Sequence, residues 1–289
     1  MTDRASLTAE YMALFRALES SRRPDSRLFY DPYARRFLQG GRRWLYQIGS
    51  IGFGRRIVER LLDRSAPGAR AAGTARTKWI DDETKAALAS ASQLVLLGAG
   101  FDTRAYRLPQ AARATVFELD RPETSLVKLA ALKRTLGSLP PHVRLVAIDF
   151  NRQFVGEVLT AAGFDTKRGA CFIWEGVTNY LTAEAIESTL REIRQITREG
   201  VLLFTYVDRL VLDHPDRFYG AVKLLARLKS YGEPWTFGLA PAEAAEYLVQ
   251  RGFRLLKDVS VAEVWKQAGR PAQEIHGYEF YRLASARME

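Results

Sequence analysis

Five residues, Gln93-Leu94-Val95-Leu96-Leu97, run directly into Gly98-Ala99-Gly100. The apolar run does not alternate with polar residues, so it predicts a strand covered on both faces, as in the interior of a parallel sheet. The glycines then let the backbone turn tightly and come close to a ligand with no Cβ in between. A strand that breaks into such a turn is how nucleotide-binding crossovers begin. In dinucleotide folds a third glycine packs the next helix on the strand and frees its N-terminus for pyrophosphate. Here that slot holds Thr103, which counts against NAD as the ligand.

The next two predicted strands end in the same chemical vein. Ala114-Thr115-Val116-Phe117 leads into Glu118-Leu119-Asp120, and Asp120 lies twenty residues after Gly100. A carboxylate there can accept from both hydroxyls of a ribose; it can equally cap the helix that starts near Arg121-Pro122. A third strand over Val143 to Ile148 ends in Asp149-Phe150, where the acid suits an adenine amino group and the ring suits the base face. Three consecutive strand ends therefore offer groups for a nucleoside.

Taken together, LGAGFDTRAYRL, FELDRP, AIDF and FIWEGVTNYLT resemble the leucine carboxyl methyltransferase-like family of S-adenosylmethionine (SAM) methyltransferases. The resemblance runs from ALESSRRPDSRLFYDPYARRFL through ARTKWIDD to GEPWTFGLAP and HGYEFYRLA, which is nearly the whole chain. It implies a Rossmann-like α/β domain with a doubly wound, mostly parallel seven-stranded sheet, SAM as methyl donor, and oxygen methylation of a small molecule. It further implies a single domain over 1–289: a helical cap at 1–70, a SAM-binding core at 71–207, a substrate-wall insertion at 208–240 and the end of the core at 241–289. The cofactor-binding set it implies is Arg76, Gly98, Ala99, Gly100, Asp120, Asp149, Phe150 and Glu175. Arg76, within ARTKWIDD, would bind the methionine carboxylate of SAM, for which a planar guanidinium is well shaped; an ion pair with Asp81 or Asp82 is the other reading. Glu175 ends the strand Ala170 to Trp174 and would accept from the SAM ammonium or orient the loop beneath the sulfonium. Arg16 and Arg22 are further candidates for the carboxylate.

Other elements follow from periodicity and punctuation. An amphipathic helix is predicted over residues 6 to 21, a short one from Asp31-Pro32 to Gly40-Gly41, and another from Trp44 to Leu62. The helix carrying Arg76 is predicted from about Ala72 to Ala91. A further helix is capped by Thr182 and closed by Gly200, and the fifth strand covers Val201 to Tyr206. Past an apolar, basic helix near Ala221 to Lys229, strands are expected near Phe253 to Val259 and Tyr278 to Ala284.

The formal charge of +10 comes from 43 Lys and Arg against 33 Asp and Glu. The basic residues are scattered rather than interleaved with aromatics, so nucleic acid is not the expected partner. No run approaches the roughly 20 apolar residues that span a bilayer, and the first residues carry acids where a leader would be apolar. A cytoplasmic protein without a membrane partner is expected. Cys171, the single cysteine, reads as a small buried hydrophobe, and no metal site is expected. Of His142, His214 and His276, the first and last read as structural; His214 sits in the predicted substrate wall, and no catalytic residue is assigned. A nucleic-acid methyltransferase and a non-catalytic SAM-binding module are the competing functional readings.

Overall fold

The computed structural model describes residues 7–150 and 152–289. Residues 1–6, which carry the start of the first predicted helix and Asp3, one of the acids weighed against a leader, lie outside the described residues. In chain order the helices are α1 (Leu7–Ser20), α2 (Gly40–Gly49), α3 (Gly52–Ser65), α4 (Ala69–Ala87), α5 (Arg104–Arg107), α6 (Pro122–Leu136), α7 (Val155–Ala161), α8 (Ala183–Ile196), α9 (Leu210–Asp213), α10 (Ala221–Ser230), α11 (Ala244–Val249) and α12 (Val261–Gln267). The strands are β1 (Gln93–Leu97), β2 (Thr115–Asp120), β3 (Val143–Ala147), β4 (Ala170–Trp174), β5 (Gly200–Val207), β6 (Phe253–Ser260) and β7 (Tyr281–Met288).

These strands form one sheet in the order β3-β2-β1-β4-β5-β7-β6. Only β7 runs against its neighbours, β5 and β6. The unbroken apolar run of β1 has its reason in the layers. Val95 and Leu97 point into a core shared with Leu159 of α7 and with Ile186 and Leu190 of α8. Leu94 and Leu96 point the other way, toward Ile80 of α4 and Ala105 of α5. A strand covered on both faces has no solvent side on which to place polar residues. After β1 the chain winds outward through β2 and β3, then returns to β4 on the opposite side of β1. The loops after β1 and β4 consequently diverge and leave a crevice at the carboxyl ends of the strands.

A separate apolar cluster holds the N-terminal helices over that crevice. Leu14 and Leu18 of α1 pack with Val58 and Leu62 of α3 and with Phe101, just past the glycine turn. The Phe37 and Phe101 rings stack at 4.8 Å, so the cap is tied directly to the turn it covers.

Several predicted boundaries are corrected. Asp31 does cap a helix, with Oδ1 accepting from the backbone N–H groups of Tyr33 and Ala34 at 3.0 and 2.9 Å. That helix is only a 3-10 turn over Ala34–Phe37, and Gly40-Gly41 open α2 instead of ending it. The single helix expected over Trp44 to Leu62 is a hairpin of α2 and α3 broken at Ser50-Ile51. Gly54 makes the hairpin possible, since a Cβ there would lie 2.2 Å from the carbonyl oxygen of Ile48. Thr197 ends α8 while Gly200 begins β5, and the last strand starts at Tyr281 rather than near Tyr278.

Helix α12 was not foreseen, although its start carries a reciprocal capping box. The Ser260 hydroxyl accepts from the Glu263 N–H at 3.1 Å, and the Glu263 carboxylate accepts from the Ser260 N–H at 2.6 Å. Its signal, Ser-x-x-Glu, is a known start mark that lay hidden at the end of a strand. Ser260→Ala is expected to lower stability by about 1 kcal/mol, read as a lower denaturation midpoint with an unchanged slope.

Candidate active site

The glycine turn is closed from below: the N–H groups of Gly98 and Ala99 both donate to the Leu119 carbonyl at 2.9 Å. Gly98 has φ of 71°, and a Cβ on it would meet Val177 Cγ2 at 2.6 Å. Both conformation and space therefore require glycine there. The Gly100 N–H donates to one oxygen of Asp120, and the Arg121 N–H donates to the other at 2.7 Å. Asp120 thus braces the turn and the approach to α6, and each oxygen still has a second lone pair for a ligand. Burial pushes its carboxyl upward, against the pull of those two N–H groups. Asp149 and Phe150 face the same cavity as the turn.

Beneath the turn runs a chain of alternating charges. Arg76 Nε donates to Glu175 Oε1 at 2.6 Å, and Arg76 Nη1 donates to the Tyr281 hydroxyl at 3.0 Å. The other Glu175 oxygen accepts from Arg104 Nη1 at 2.5 Å. Arg104 also pairs with Asp102 and, through Nε, with Asp81 at 2.8 Å. Asp81 in turn takes both terminal nitrogens of Arg107, at 2.6 and 2.7 Å. Arg107 reaches Asp31, which pairs with Arg16 at 2.9 Å and accepts from Thr103 at 2.7 Å. Burial works against the charges of Arg76, Glu175, Arg104, Asp102, Arg107 and Asp31, but opposite neighbours outweigh it. Arg104 and Arg76 hold the Glu175 carboxyl below its usual range, while Tyr281 and Glu175 hold the Arg76 guanidinium above its own.

The ion pair of Arg76 with Asp81 or Asp82 is therefore not formed: Asp81 serves Arg104 and Arg107, and Asp82 serves Lys78 and Lys85. Arg16 lines the cavity, but its guanidinium is occupied by Asp31 and by the Phe101 carbonyl at 2.5 Å. Arg22 pairs with Glu19 and Glu59 away from the cavity lining.

The cavity measures about 500 Å³. One side is built from the glycine turn, Asp120, Asp149, Phe150 and Glu175; the other from Met12, Tyr180, Leu224, Trp235, Tyr278 and Tyr281. Burial pushes the phenols of Tyr180 and Tyr278 upward, so both keep their protons. None of the three histidines lines the cavity. His142 bonds the Ala105 carbonyl at 3.0 Å, and His276 stacks on Tyr219 at 4.8 Å. Cys171 is fully buried in β4, with its thiol pushed up to about 12. Among the described residues no trio of His, Cys, Asp and Glu is placed to hold a metal ion.

All eight residues of the cofactor-binding set expected from the sequence, Arg76, Gly98, Ala99, Gly100, Asp120, Asp149, Phe150 and Glu175, line this one cavity. Sequence reading missed Asp102 and Arg104, although both stand in the FDTRAYRL motif, because nothing local shows that Arg104 of α5 reaches Glu175 at the end of β4. It also missed Tyr180, Tyr278 and Tyr281, which come from segments far apart in the chain.

The profile of the family described as leucine carboxyl methyltransferase matches residues 9–194. A Frankia alni protein named "Putative S-adenosyl-L-methionine-dependent methyltransferase" is 33% identical over 271 residues, covering 92% of this chain and 89% of its own. The chain belongs to the leucine carboxyl methyltransferase family. A relative of the same name from Mycobacterium sp. (strain KMS) is 35% identical over 207 residues, 67% of this chain and 64% of its own. Among solved structures, a Thermobifida fusca protein titled a putative methyltransferase superposes with a TM-score of 0.62 at 17% identity, covering 99% of this chain and 96% of that one. A DUF574-family protein from Streptomyces avermitilis gives 0.60 at 14%, covering 96% and 97%. These likenesses show the shared Rossmann-like fold. Membership of this family makes the chain a SAM-dependent methyltransferase, with SAM as methyl donor.

The charge chain has a measurable acid signature. Burial opposes ionisation of Asp102, but Arg104 and Lys128 bring its carboxyl down from 3.8 to about 2. A depressed folded value stabilises above the ordinary pKa, and the gain is lost as pH falls toward the folded one. Between about pH 5 and pH 2 the protein should lose on the order of 2 kcal/mol more stability than Asp102→Asn does, as measured by urea unfolding across that range.

Proposed function

We propose that the chain transfers a methyl group from SAM to an oxygen, a carboxylate or a hydroxyl, of a small molecule. The observation that carries this reading is the continuity of the cavity from the glycine turn to the tyrosine-lined chamber, within the size range of small-molecule sites. In this reading Asp120 accepts from the ribose, Asp149 from the adenine amino group, and Phe150 lies against the base. Gly98, Ala99 and Gly100 bring the backbone close to the nucleoside. Arg76 spends Nε on Glu175 and one hydrogen of Nη1 on Tyr281, which leaves the edge formed by Nη1 and Nη2 to bind the methionine carboxylate as a fork. Glu175, with both oxygens engaged by arginines, orients Arg76 and the loop at Gly176.

When bound, SAM supplies a methyl carbon on a cationic sulfur, which an oxygen attacks in line as the carbon–sulfur bond breaks and its electron pair returns to sulfur. The residues of the chain hold the acceptor on that axis and keep water out. Protonated Tyr180 and Tyr278 can donate to the acceptor's oxygens, and a carboxylate acceptor needs no base. The cytoplasmic placement expected from sequence belongs to the same reading.

Two experiments test it. Incubation with methyl-labelled SAM and panels of carboxylates, phenols and RNA should label the small molecules; alkaline release of methanol then separates esters from ethers. Label entering only RNA, or no acceptor at all, would overturn the proposal. Calorimetry tests the anchoring residues. Arg76→Ala should weaken S-adenosylhomocysteine by about 1.5 to 3 kcal/mol, with Arg76→Lys in between, yet leave methylthioadenosine, which lacks the amino-acid part, nearly unchanged. Equal weakening of both ligands would reduce Arg76 to a pocket support. Asp120→Ala should cost both ligands about 1 to 3 kcal/mol, since both carry the ribose.

A further inference from the structure

The α2–α3 hairpin is apolar on two faces, only one of which is used. Toward the body, Val58 and Leu62 are buried against α1. Away from it stand Trp44, Ile48 and Ile51 at helical spacing, then Phe53, Ile57 and Leu61 at i, i+4 and i+8, with exposures from 44% to 79%. Single exposed apolar residues are ordinary, but six on one helical hairpin form a patch that needs a partner. Beside the Phe53 stripe runs a second one, Arg56, Arg60 and Arg64, also exposed and neighbouring the first at 100° per residue. Arg43 stands next to Trp44 on α2. None of these four arginines makes an ion pair among the described residues.

The charge of this face is one-sided. Residues 40–65 hold six arginines and two carboxylates, Glu59 and Asp63. Both acids are turned inward, to Arg22 and Arg70. Arg42 and Arg55 are also engaged inward, with Glu10 and with the Ser21 carbonyl. What faces outward is an apolar stripe edged by unpaired guanidinium groups.

We propose that this hairpin seats the protein on an anionic lipid surface, with Trp44, Phe53 and their aliphatic neighbours entering the headgroup layer and the arginines meeting lipid phosphates. Helices with bulky apolar residues on one face and arginines alongside lie in the plane of such a surface. A second copy of the chain fits less well, because a two-fold contact sets the patch against itself and brings the arginine stripes together. A nucleic acid would satisfy the arginines but leave Ile48, Ile57 and Leu61 in water. The expectation of no membrane partner rested on the lack of a spanning run, and no helix here is long and apolar enough to cross a membrane among the described residues. A helix that lies on the surface needs no such run.

The test is vesicle flotation of the full chain. Phosphatidylcholine vesicles containing phosphatidylglycerol should carry the protein at low salt, phosphatidylcholine alone should carry little, and added salt should release it. Arg56→Gln with Arg60→Gln should reduce partitioning about fivefold for each charge removed. Trp44→Ser with Phe53→Ser should reduce it by about tenfold or more. SAM affinity, measured in parallel, should stay at the parent value in both variants, which separates loss of docking from loss of fold or of the methyltransferase site. The salt and lipid dependence of the parent stands even if a variant fails to fold. No flotation on anionic vesicles at low salt, or equal flotation of parent and folded variants, overturns the proposal. So does a dimer in light scattering that is lost in Phe53→Ser without any vesicle binding.

Discussion

The alternation of buried guanidinium and carboxylate groups from Asp31 to Arg76 underlies the rest of the molecule. Each of these ions alone would be costly to remove from water, and only close opposite neighbours make the arrangement tenable. The chain of pairs joins four separate places: the cap through Asp31 and Arg16, α4 through Asp81 and Arg76, α5 through Arg104 and Arg107, and the end of β4 through Glu175. Apolar packing brings these elements near one another without fixing their angles. The directional ion pairs supply that precision, so Arg76 is aimed at the cavity by the fold itself.

This preset arrangement suits methyl transfer. Displacement at a sulfonium asks mainly that two partners be aligned and kept dry, and the cavity offers a wall of apolar and aromatic side chains beside a hydrogen-bonded charge network. Tyr281 ties the two functions together: its hydroxyl accepts from Arg76 and lies 3.2 Å from Thr205 Oγ1, which accepts from the Gly176 N–H at 2.8 Å. The guanidinium, the last strand and the loop after β4 are held in one hydrogen-bonded run. Above it, α1 lines the cavity with Met12 and shares its buried face with α3, so the cap that covers the site is also the base of the exposed hairpin.

Local sequence determined the parts of the sheet that are covered on both faces, because burial on two sides favours apolar residues and makes residues 94–97 of β1, Ala170–Trp174 of β4 and residues 201–204 of β5 legible as uninterrupted runs. It also determined the turn at Gly98, where a left-handed backbone and the neighbouring Val177 side chain together call for glycine, and the acids at strand ends, since a parallel sheet places successive carboxyl ends on one edge. Boundaries set by contacts from elsewhere were beyond it. Gly54, inside α3, leaves room for the Ile48 carbonyl of α2 across the hairpin, and Gly40 starts a helix that punctuation alone would have ended. Tertiary structure alone decided which charge meets which: Arg76 chose Glu175, 99 residues away, over its helix neighbours. It alone also gathered Tyr180, Tyr278 and Tyr281 into one wall and left the Phe53 stripe uncovered. Side-chain partners at such separations depend on how whole elements pack, and no local period or motif encodes that.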